Sequence, residues 1–195
     1  MVAPVTRLAT ADDAPRLATM LARAFDDDPV MMWAHPDARR RPRRGAMFFS
    51  GRLRSLLPHE LCWTTDDLAG AALWAPADAW AAPAAELVRG LPYLSWRRAP
   101  VVFYGLGRVE QVHPREPHYY LSVLGVDPAR QHAGIGSRLL APGIDVCDRE
   151  GVPAYLETGK ERNVRFYERH GFRVTREMTL PRGPRVWLMW RDARA

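Results

Sequence analysis

The stretch that most constrains how this chain can fold covers residues 123–140. An apolar run of strand type at 123–126 leads into a loop with two glycines, Gly134 and Gly136, and the loop leads into a helix-forming segment. Glycine lets a backbone approach a ligand closely, and the first N–H groups of a helix have no partner within the helix. Such a helix start binds anions, above all phosphate. The loop therefore predicts a cradle for the pyrophosphate of a nucleotide-like cofactor.

The spacing of these glycines excludes two common phosphate-binding classes. The run Gln-His-Ala-Gly-Ile-Gly at 131–136 lacks the G-x-G-x-x-G pattern of dinucleotide-binding folds, and no strand–helix–strand unit opens the chain. The loop also lacks the Lys followed by Ser or Thr with which the phosphate loops of nucleoside triphosphatases end. We therefore expect a cofactor of another kind.

Hydrophobic periodicity predicts strands and helices in a mixed order. Strands are expected at 5–8, 61–65, 69–75, 118–126, 154–158, 172–178 and 186–190. A first helix starts at the cap signal of residues 10–13 and ends at Pro29, because proline stops a helix. Further helices are expected at 42–57, 134–150 and 163–170, with weaker signals near 82–89 and 101–112.

This order of elements places antiparallel hairpins on both sides of one strand–helix–strand crossover. It predicts an α/β (α+β) fold of three layers, with a mixed central sheet of about six to seven strands and helices on both faces. The parallel pair would be 119–126 and 154–158, joined by the helix from Gly134 as a right-handed crossover. The 195 residues contain no repeat or linker, so we expect a single domain over 1–195.

The charge balance limits the possible partners. The chain has 28 Lys and Arg against 22 Asp and Glu, a formal net charge of +6, and Lys160 is its only lysine. The dense arginine run at 39–44 has no clustered aromatic residues around it, so we do not expect a nucleic-acid partner. A positive overall field does favour an anionic cofactor.

The compartment can also be predicted. Cys62 and Cys147 are far apart in sequence, and two unpaired cysteines suit a reducing environment. Charged residues precede any apolar run at the start, which argues against a signal peptide, and prolines break the alanine-rich stretch 69–88. We expect a cytoplasmic protein without a membrane partner, acting as a monomer or homodimer.

Motifs downstream of the loop carry a family resemblance. Leu-Glu-Thr at 156–158, Arg-Asn at 162–163 and Phe-Tyr-Glu-Arg-x-Gly-Phe at 166–172 follow the Gln-x-x-Gly-x-Gly of 131–136. Together they resemble the GCN5-related N-acetyltransferase (GNAT) superfamily, and within it puromycin N-acetyltransferase and its relatives. The matching residues span most of the chain and leave about 29–115 largely unmatched. The resemblance implies acetyl-CoA as donor, a primary amine as acceptor and no metal.

The resemblance also implies a set of cofactor contacts. They are Leu124, Gly125, Val126, Gln131, His132, Ala133, Gly134, Ile135, Gly136, Ser137, Asn163, Phe166 and Tyr167. Gly125 inside a strand indicates a bulge or the close approach of another backbone. The resemblance places a splay of the sheet there, where the pantetheine arm pairs with main chain at Leu124 and Val126, and the Val126 N–H is a candidate donor to the developing oxyanion.

The loop departs from the usual family pattern at two positions. Relatives often carry Gly and a basic residue where this chain has His132 and Ala133. The backbone N–H groups survive the change, because any residue but proline supplies one. A cationic side chain for the pyrophosphate is lost unless Arg130, His132 or Arg138 takes its place.

Two residues are catalytic candidates. Tyr167 is the candidate general acid towards the CoA thiolate, and reference pKa values of about 10 and 8.5 make that transfer uphill by about 2 kcal/mol, so the proton would move late. Glu157 is the candidate general base, taking a proton from the amine through water. The structural alternatives are a core tyrosine and a carboxylate paired with an arginine. Asn163 could contact the pantetheine or cap its own helix.

The acceptor contacts are the least determined part of the sequence. Asp27 and Asp28 could attract a cationic acceptor or form a solvated turn. His118 and Tyr120, with His113, lie beside the cofactor strand. The seven tryptophans, among them Trp33, Trp74, Trp80 and Trp96, could line a pocket or fill the core.

The expected function is acetyl transfer from acetyl-CoA to a primary amine by direct attack in a ternary complex. A small molecule is the favoured acceptor, and an antibiotic is one candidate. The alternatives are acetylation of a protein or peptide amine, and a regulatory domain that binds acetyl-CoA without turnover.

Overall fold

Seven strands and six helices form one α/β unit in the computed structural model, which describes residues 5–77 and 98–194. The strands are β1 Thr6–Leu8, β2 Cys62–Thr65, β3 Gly70–Ala75, β4 Tyr119–Val126, β5 Ala154–Thr158, β6 Arg173–Thr179 and β7 Arg185–Arg191. The helices are α1 Ala14–Ala24, α2 Pro29–Ala34, α3 Arg41–Leu56, α4 Ala99–Gln111, α5 Ile135–Glu150 and α6 Glu161–Glu168. The helix predicted at 82–89, Trp80 and Trp96 lie outside the described residues.

The strands form a single mixed sheet in the order β1-β2-β3-β4-β5-β7-β6. Only β4 and β5 run parallel, and α5 connects them, while the other neighbours are antiparallel. The predicted fold class and the predicted parallel pair are therefore confirmed.

Alternation along the strands sends side chains to two hydrophobic cores. On one face, Leu17 and Leu21 of α1 and Phe49 of α3 pack against β3 residues such as Leu73. On the other face, α5 packs against Trp74 and neighbouring strand residues. The remaining helices complete both faces, so the sheet is covered on each side.

The junction between α1 and α2 differs from the prediction. The expected stop at Pro29 is wrong, because α1 already ends at Ala24 and Pro29 is the first residue of α2. Its missing N–H costs nothing there, since the first N–H groups of a helix lack partners anyway. Asp28 caps α2: its Oδ1 accepts hydrogen bonds from the backbone N–H groups of Val30 at 2.9 Å and Met31 at 3.2 Å. This cap fixes Asp28 in a buried position.

The irregularity in β4 also lies elsewhere than expected. The register with β3 shifts between Leu73 and Trp74, which leaves Ser122 of β4 without an opposite residue, while Gly125 stays in regular register. A Cβ on Gly125 would lie 2.6 Å from the Leu21 Cδ2 atom. The position therefore needs glycine because side chains of α1 pack tightly against it, and not because of a bulge or another backbone.

The sheet splays after Leu121, as the family resemblance implied. β4 pairs with β5 only over residues 119–121, and from there to Val126 it is paired on its β3 side alone. The N–H of Asp127 donates to the Ala69 carbonyl beside β3. The N–H and C=O groups of successive residues in a strand point to opposite sides. Those of Leu124 and Val126 therefore face away from β3, into the gap between β4 and β5.

Candidate active site

The main cleft, of about 540 Å³, lies where the end of β4, the loop before α5 and α6 converge. Its lining includes all the predicted cofactor contacts except Ala133, namely Leu124, Gly125, Val126, Gln131, His132, Gly134, Ile135, Gly136, Ser137, Asn163, Phe166 and Tyr167. Ala133 is exposed, and its carbonyl oxygen accepts a hydrogen bond from Arg138 Nη2 at 3.3 Å. Residues from three separate elements therefore meet as the sequence predicted.

The loop before α5 turns sharply into the helix. His132 and Gly134 have φ angles of +65° and +74°, and Gly134 is the N-cap residue. This left-handed conformation suits glycine and is uncommon for other residues, so His132 is held in place by its surroundings. The Arg138 N–H donates to the Gly134 carbonyl, which leaves the N–H groups of residues 135–137 without an acceptor in a preceding turn. These N–H groups lie where the sequence predicts an anion cradle, and that role stays a prediction.

Two side-chain hydrogen bonds hold the loop against its neighbours. Gln131 Nε2 donates to the Val126 carbonyl at 3.2 Å, which ties the loop to the end of β4. Ser137 Oγ lies 3.0 Å from His170 Nε2. Burial and nearby arginines lower the pKa of His170, which favours its neutral ring, and the tautomer of that ring sets the direction of its hydrogen bond with the Ser137 hydroxyl.

Most cationic side chains of the main cleft differ from the candidates that the sequence offers for the pyrophosphate. Arg130 lines the cleft but forms an ion pair with Asp67 at 2.9 Å, and Arg138 does not line it. Sequence reasoning missed Lys160, Arg162 and Arg169, which all line the cleft. The signal that could have indicated them is position, since they surround the Asn163 helix in the sequence.

Asp27 lies outside both cavities. Its carboxylate pairs with Lys160 Nζ at 2.5 Å and with an Arg162 guanidinium nitrogen at 3.2 Å. Burial pushes the pKa of Asp27 up, but these two cations together bring it below its ordinary value. The residue predicted to contact the acceptor therefore holds the cations of the main cleft in place.

The second cavity, of about 190 Å³, adjoins the main cleft. The two share Phe25, Asp28, Leu124, Asn163 and Tyr167. Predicted residues that line only the second cavity are Tyr120 and Glu157. The candidate acid and Leu124 of the predicted cofactor strand therefore lie in the shared wall, while the candidate base lies in the second cavity.

Tyr167 is buried at this junction. Within residues 5–77 and 98–194, its hydroxyl forms no hydrogen bond to another side chain or carbonyl. Burial and the nearby Asp28 carboxyl raise the pKa of Tyr167 above its ordinary value. The phenol therefore keeps its proton as a hydrogen-bond donor, and complete transfer to a thiolate costs more than reference pKa values suggest.

Glu157 is held by two phenols. Tyr120 Oη donates to its Oε2 at 2.9 Å, and Tyr155 Oη donates to its Oε1 at 3.0 Å. His113 Nδ1 lies 3.5 Å from Oε1. No arginine or lysine of the described part of the chain pairs with Glu157, so the structural alternative of an arginine ion pair does not hold there. Burial and the Glu157 charge raise the pKa of Tyr120 and of Tyr155.

His118 supports Glu157 from behind and lines neither cavity. Only 1% of it is exposed, and its Nδ1 lies 2.6 Å from the Glu116 carbonyl, so Nδ1 carries a proton. Its Nε2 then accepts from His113 Nε2 at 2.9 Å. Burial lowers the pKa of His118, which favours this neutral form. His113 is thereby oriented with Nδ1 towards Glu157.

The tryptophans described by the structure belong to the cores. Trp33 and Trp74 are buried, and neither lines the main cleft or the second cavity. Of the two alternatives, the core is the one found for both residues, because Trp33 packs with α4 and β7 residues and Trp74 packs against α5. Aliphatic and phenylalanine side chains line the second cavity instead.

Residues 5–77 and 98–194 contain no cluster of three His, Cys, Asp or Glu side chains that could hold a metal ion. None of their helices is long and apolar enough to cross a membrane.

Sequence comparison places this geometry among known proteins. Residues 61–172 match the acetyltransferase (GNAT) family. A mycothiol acetyltransferase from Kineococcus radiotolerans is 36% identical over 135 residues, which cover 66% of this chain and 38% of that protein. The chain thus spans well under half the length of this curated relative.

Solved structures show the same fold. A structure from Corynebacterium glutamicum described as histone acetyltransferase HPA2 and related acetyltransferase has a TM-score of 0.73 at 22% identity, covering 100% of this chain and 98% of that one. The polyamine N-acetyltransferase of Drosophila melanogaster has a TM-score of 0.68 at 17% identity, covering 97% and 100%. The family match extends over more than half of the sequence, and the chain therefore belongs to the GNAT family of acetyltransferases.

Proposed function

We propose that this acetyltransferase moves an acetyl group from acetyl-CoA to the primary amine of a small molecule, by direct attack with both substrates bound. The observation that carries the proposal is the junction at Tyr167, where the main cleft and the second cavity share a wall. A donor in one and an acceptor in the other would bring their reacting atoms together. Such positioning alone supplies roughly 7–11 kcal/mol of a barrier.

The main cleft fits acetyl-CoA, which supplies an acetyl group activated as a thioester. The N–H groups of residues 135–137 and the cations Lys160, Arg162 and Arg169 suit a pyrophosphate. The outward-facing main chain of Leu124 and Val126 suits the amides of a pantetheine arm. Family members use this donor, which supports the assignment.

The residues at the junction suit the proton transfers of the reaction. As the C–N bond forms and the C–S bond breaks, the amine loses one proton and the sulfur gains negative charge. Glu157, held by two phenols, accepts the amine proton directly or through water. In this proposal Tyr167 donates a hydrogen bond to the sulfur, and the Val126 N–H stabilises the developing oxyanion.

The experiment is a mass-spectrometric screen of amines for a gain of one acetyl group, with release of free CoA followed by a thiol reagent. Wild type should acetylate at least one small amine, while Tyr167→Phe and Glu157→Gln should do so more slowly. Calorimetric titration with acetyl-CoA separates the donor from the chemistry. Tight binding without CoA release for any amine would favour a regulatory domain, and no binding would refute the proposal.

The narrower sequence expectations stay predictions. They are the resemblance to puromycin N-acetyltransferase, an antibiotic as acceptor, and the cytoplasmic location. A puromycin arm in the same screen tests the first two directly.

A further inference from the structure

We infer that the second cavity selects small primary monoamines with an apolar body and discriminates against amines that carry a second cationic group. The inference rests on the proposed function and concerns the chemistry of the acceptor. It follows from what the walls of the second cavity consist of, where its carboxylates lie and how large it is.

The walls away from the junction are apolar and come from several elements. α2 and α3 contribute Val30, Met31, Phe48 and Phe49, α4 contributes Leu106 and Val109, and the β6–β7 hairpin region contributes Leu180 and Val186. None of these side chains offers a hydrogen bond. An acceptor body bound here would exchange water for hydrocarbon, which favours apolar groups.

Exposed apolar side chains mark the mouth of the second cavity. Phe48 is 48% exposed and Leu106 is 44% exposed, and both line it. Large apolar side chains left in water beside a concavity are typical of a ligand groove. They face the mouth from α3 and α4, so a bound apolar body would cover them.

Among the residues that the structure describes, the carboxylates that line the second cavity are Asp28 and Glu157. Asp28 lies in the wall shared with Tyr167 and already accepts two backbone hydrogen bonds, and Glu157 is held by Tyr120 and Tyr155. Both carboxylates are thus committed near the reacting amine. A second ammonium or guanidinium group would lie among the apolar walls without a partner, and burying an unpaired charge is costly.

The volume limits the body that fits. At about 190 Å³, the second cavity is smaller than the roughly 300–1,000 Å³ typical of sites for drug-sized ligands. We therefore expect an amine whose body is about one aromatic ring or a short alkyl chain.

The test compares kcat/KM for phenethylamine and hexylamine with that for putrescine and agmatine. Wild type should prefer the first pair by at least about tenfold, as apolar pockets do among amines. Leu106→Glu adds a carboxylate to the apolar wall at an exposed position and should shift the ratio about fivefold towards agmatine. Preference of wild type for putrescine or agmatine, or an unchanged ratio in Leu106→Glu, would overturn the inference.

Two control variants separate the effects. Leu106→Gln loses the same apolar contact without adding charge, so it should lower kcat/KM for phenethylamine and should not raise kcat/KM for agmatine. Phe103→Glu adds the same charge on α4 at an exposed residue outside the lining, so it should leave the ratio unchanged. A higher kcat/KM for agmatine in either control variant would also count against the inference.

A binding measurement distinguishes failure of the inference from failure of the proposed function. The thermal shift of the protein with saturating CoA is recorded with each amine. A larger shift with phenethylamine than with agmatine supports the selectivity even if no acetyl group is transferred, and the reverse order refutes it even if transfer occurs.

Discussion

The main cleft and the second cavity meet at Tyr167 but consist of different kinds of atoms. The main cleft offers main-chain N–H and C=O groups and four cationic side chains, whereas the second cavity offers side chains, most of them apolar. Main-chain recognition depends on backbone shape, and side-chain recognition depends on the residues at each position. The difference means that substitutions can change the acceptor while the donor site stays as it is.

The largest effect should come from the acceptor side, at Glu157. Glu157→Gln keeps the size of the side chain but removes the proton acceptor, so kcat/KM for the amine should fall by about 10²–10⁴-fold. Calorimetric affinity for acetyl-CoA should stay within twofold. Glu177→Gln, at an exposed ion pair with Arg185, is the matched control and should change neither quantity. Weaker acetyl-CoA binding in Glu157→Gln would break the division between the two sites.

At the junction itself, Tyr167→Phe should lower kcat by about 10–100-fold with little change in either KM, because the donor to the leaving sulfur is lost. The pKa of Tyr167 is raised, so its phenol stays protonated up to pH 10. Ionisation of Tyr167 should therefore not lower wild-type kcat below pH 10. The pH profiles of kcat for wild type and Tyr167→Phe should have the same shape up to that pH. If Tyr167→Phe kept the full wild-type kcat across pH 7–9, Tyr167 would not be the donor to the leaving sulfur.

Gly125→Ala tests how tightly α1 supports β4. The added methyl would lie 2.6 Å from Leu21 Cδ2, so unfolding free energy should drop by about 1–3 kcal/mol, measured by urea denaturation. Gly107→Ala, in α4 with open space around it, should instead be neutral or stabilising by up to about 1 kcal/mol. Equal stability of the two variants would show that β4 tolerates displacement.

The smallest effect is expected for one cation of the main cleft. Arg162→Met should raise KM for acetyl-CoA by about 3- to 10-fold, equivalent to about 1 kcal/mol, and should leave acceptor KM unchanged. The effect should shrink as salt is added, because salt screens exposed charges. Arg173→Met, at an exposed ion pair with Asp192, is the control. If only the KM for the acceptor changed, Arg162 would act in the acceptor site and not in the main cleft.

The donor side could be predicted from the sequence because its signals are local. Gln131, the two glycines and the helix they open are neighbours in the chain, and Asn163 and Tyr167 share one short helix. Local backbone preferences therefore specify most of the main cleft. The splay of the sheet came from the family resemblance and was confirmed by the pairing of β4.

The acceptor side could not be predicted in the same way. Its walls come from elements as distant in sequence as α2 and β7, so only tertiary packing brings them together. Pro29 was interpreted as an end, although the same residue also starts a helix when an aspartate precedes it. The role of Asp27 could not be assigned, because its partners Lys160 and Arg162 are more than a hundred residues away.

The open edge of β4 has a consequence for solubility. Unpaired main-chain groups along a strand are a template for a strand from another molecule, and exposed edges of this kind promote aggregation. In this chain the unpaired side of β4 is limited to residues 122–126, and residues of α5 and α6 line the same cleft as this edge. An extended segment of a second chain would have to enter that cleft to pair with it. The sheet thus leaves one side of β4 unpaired inside a cleft, and not at an outer strand.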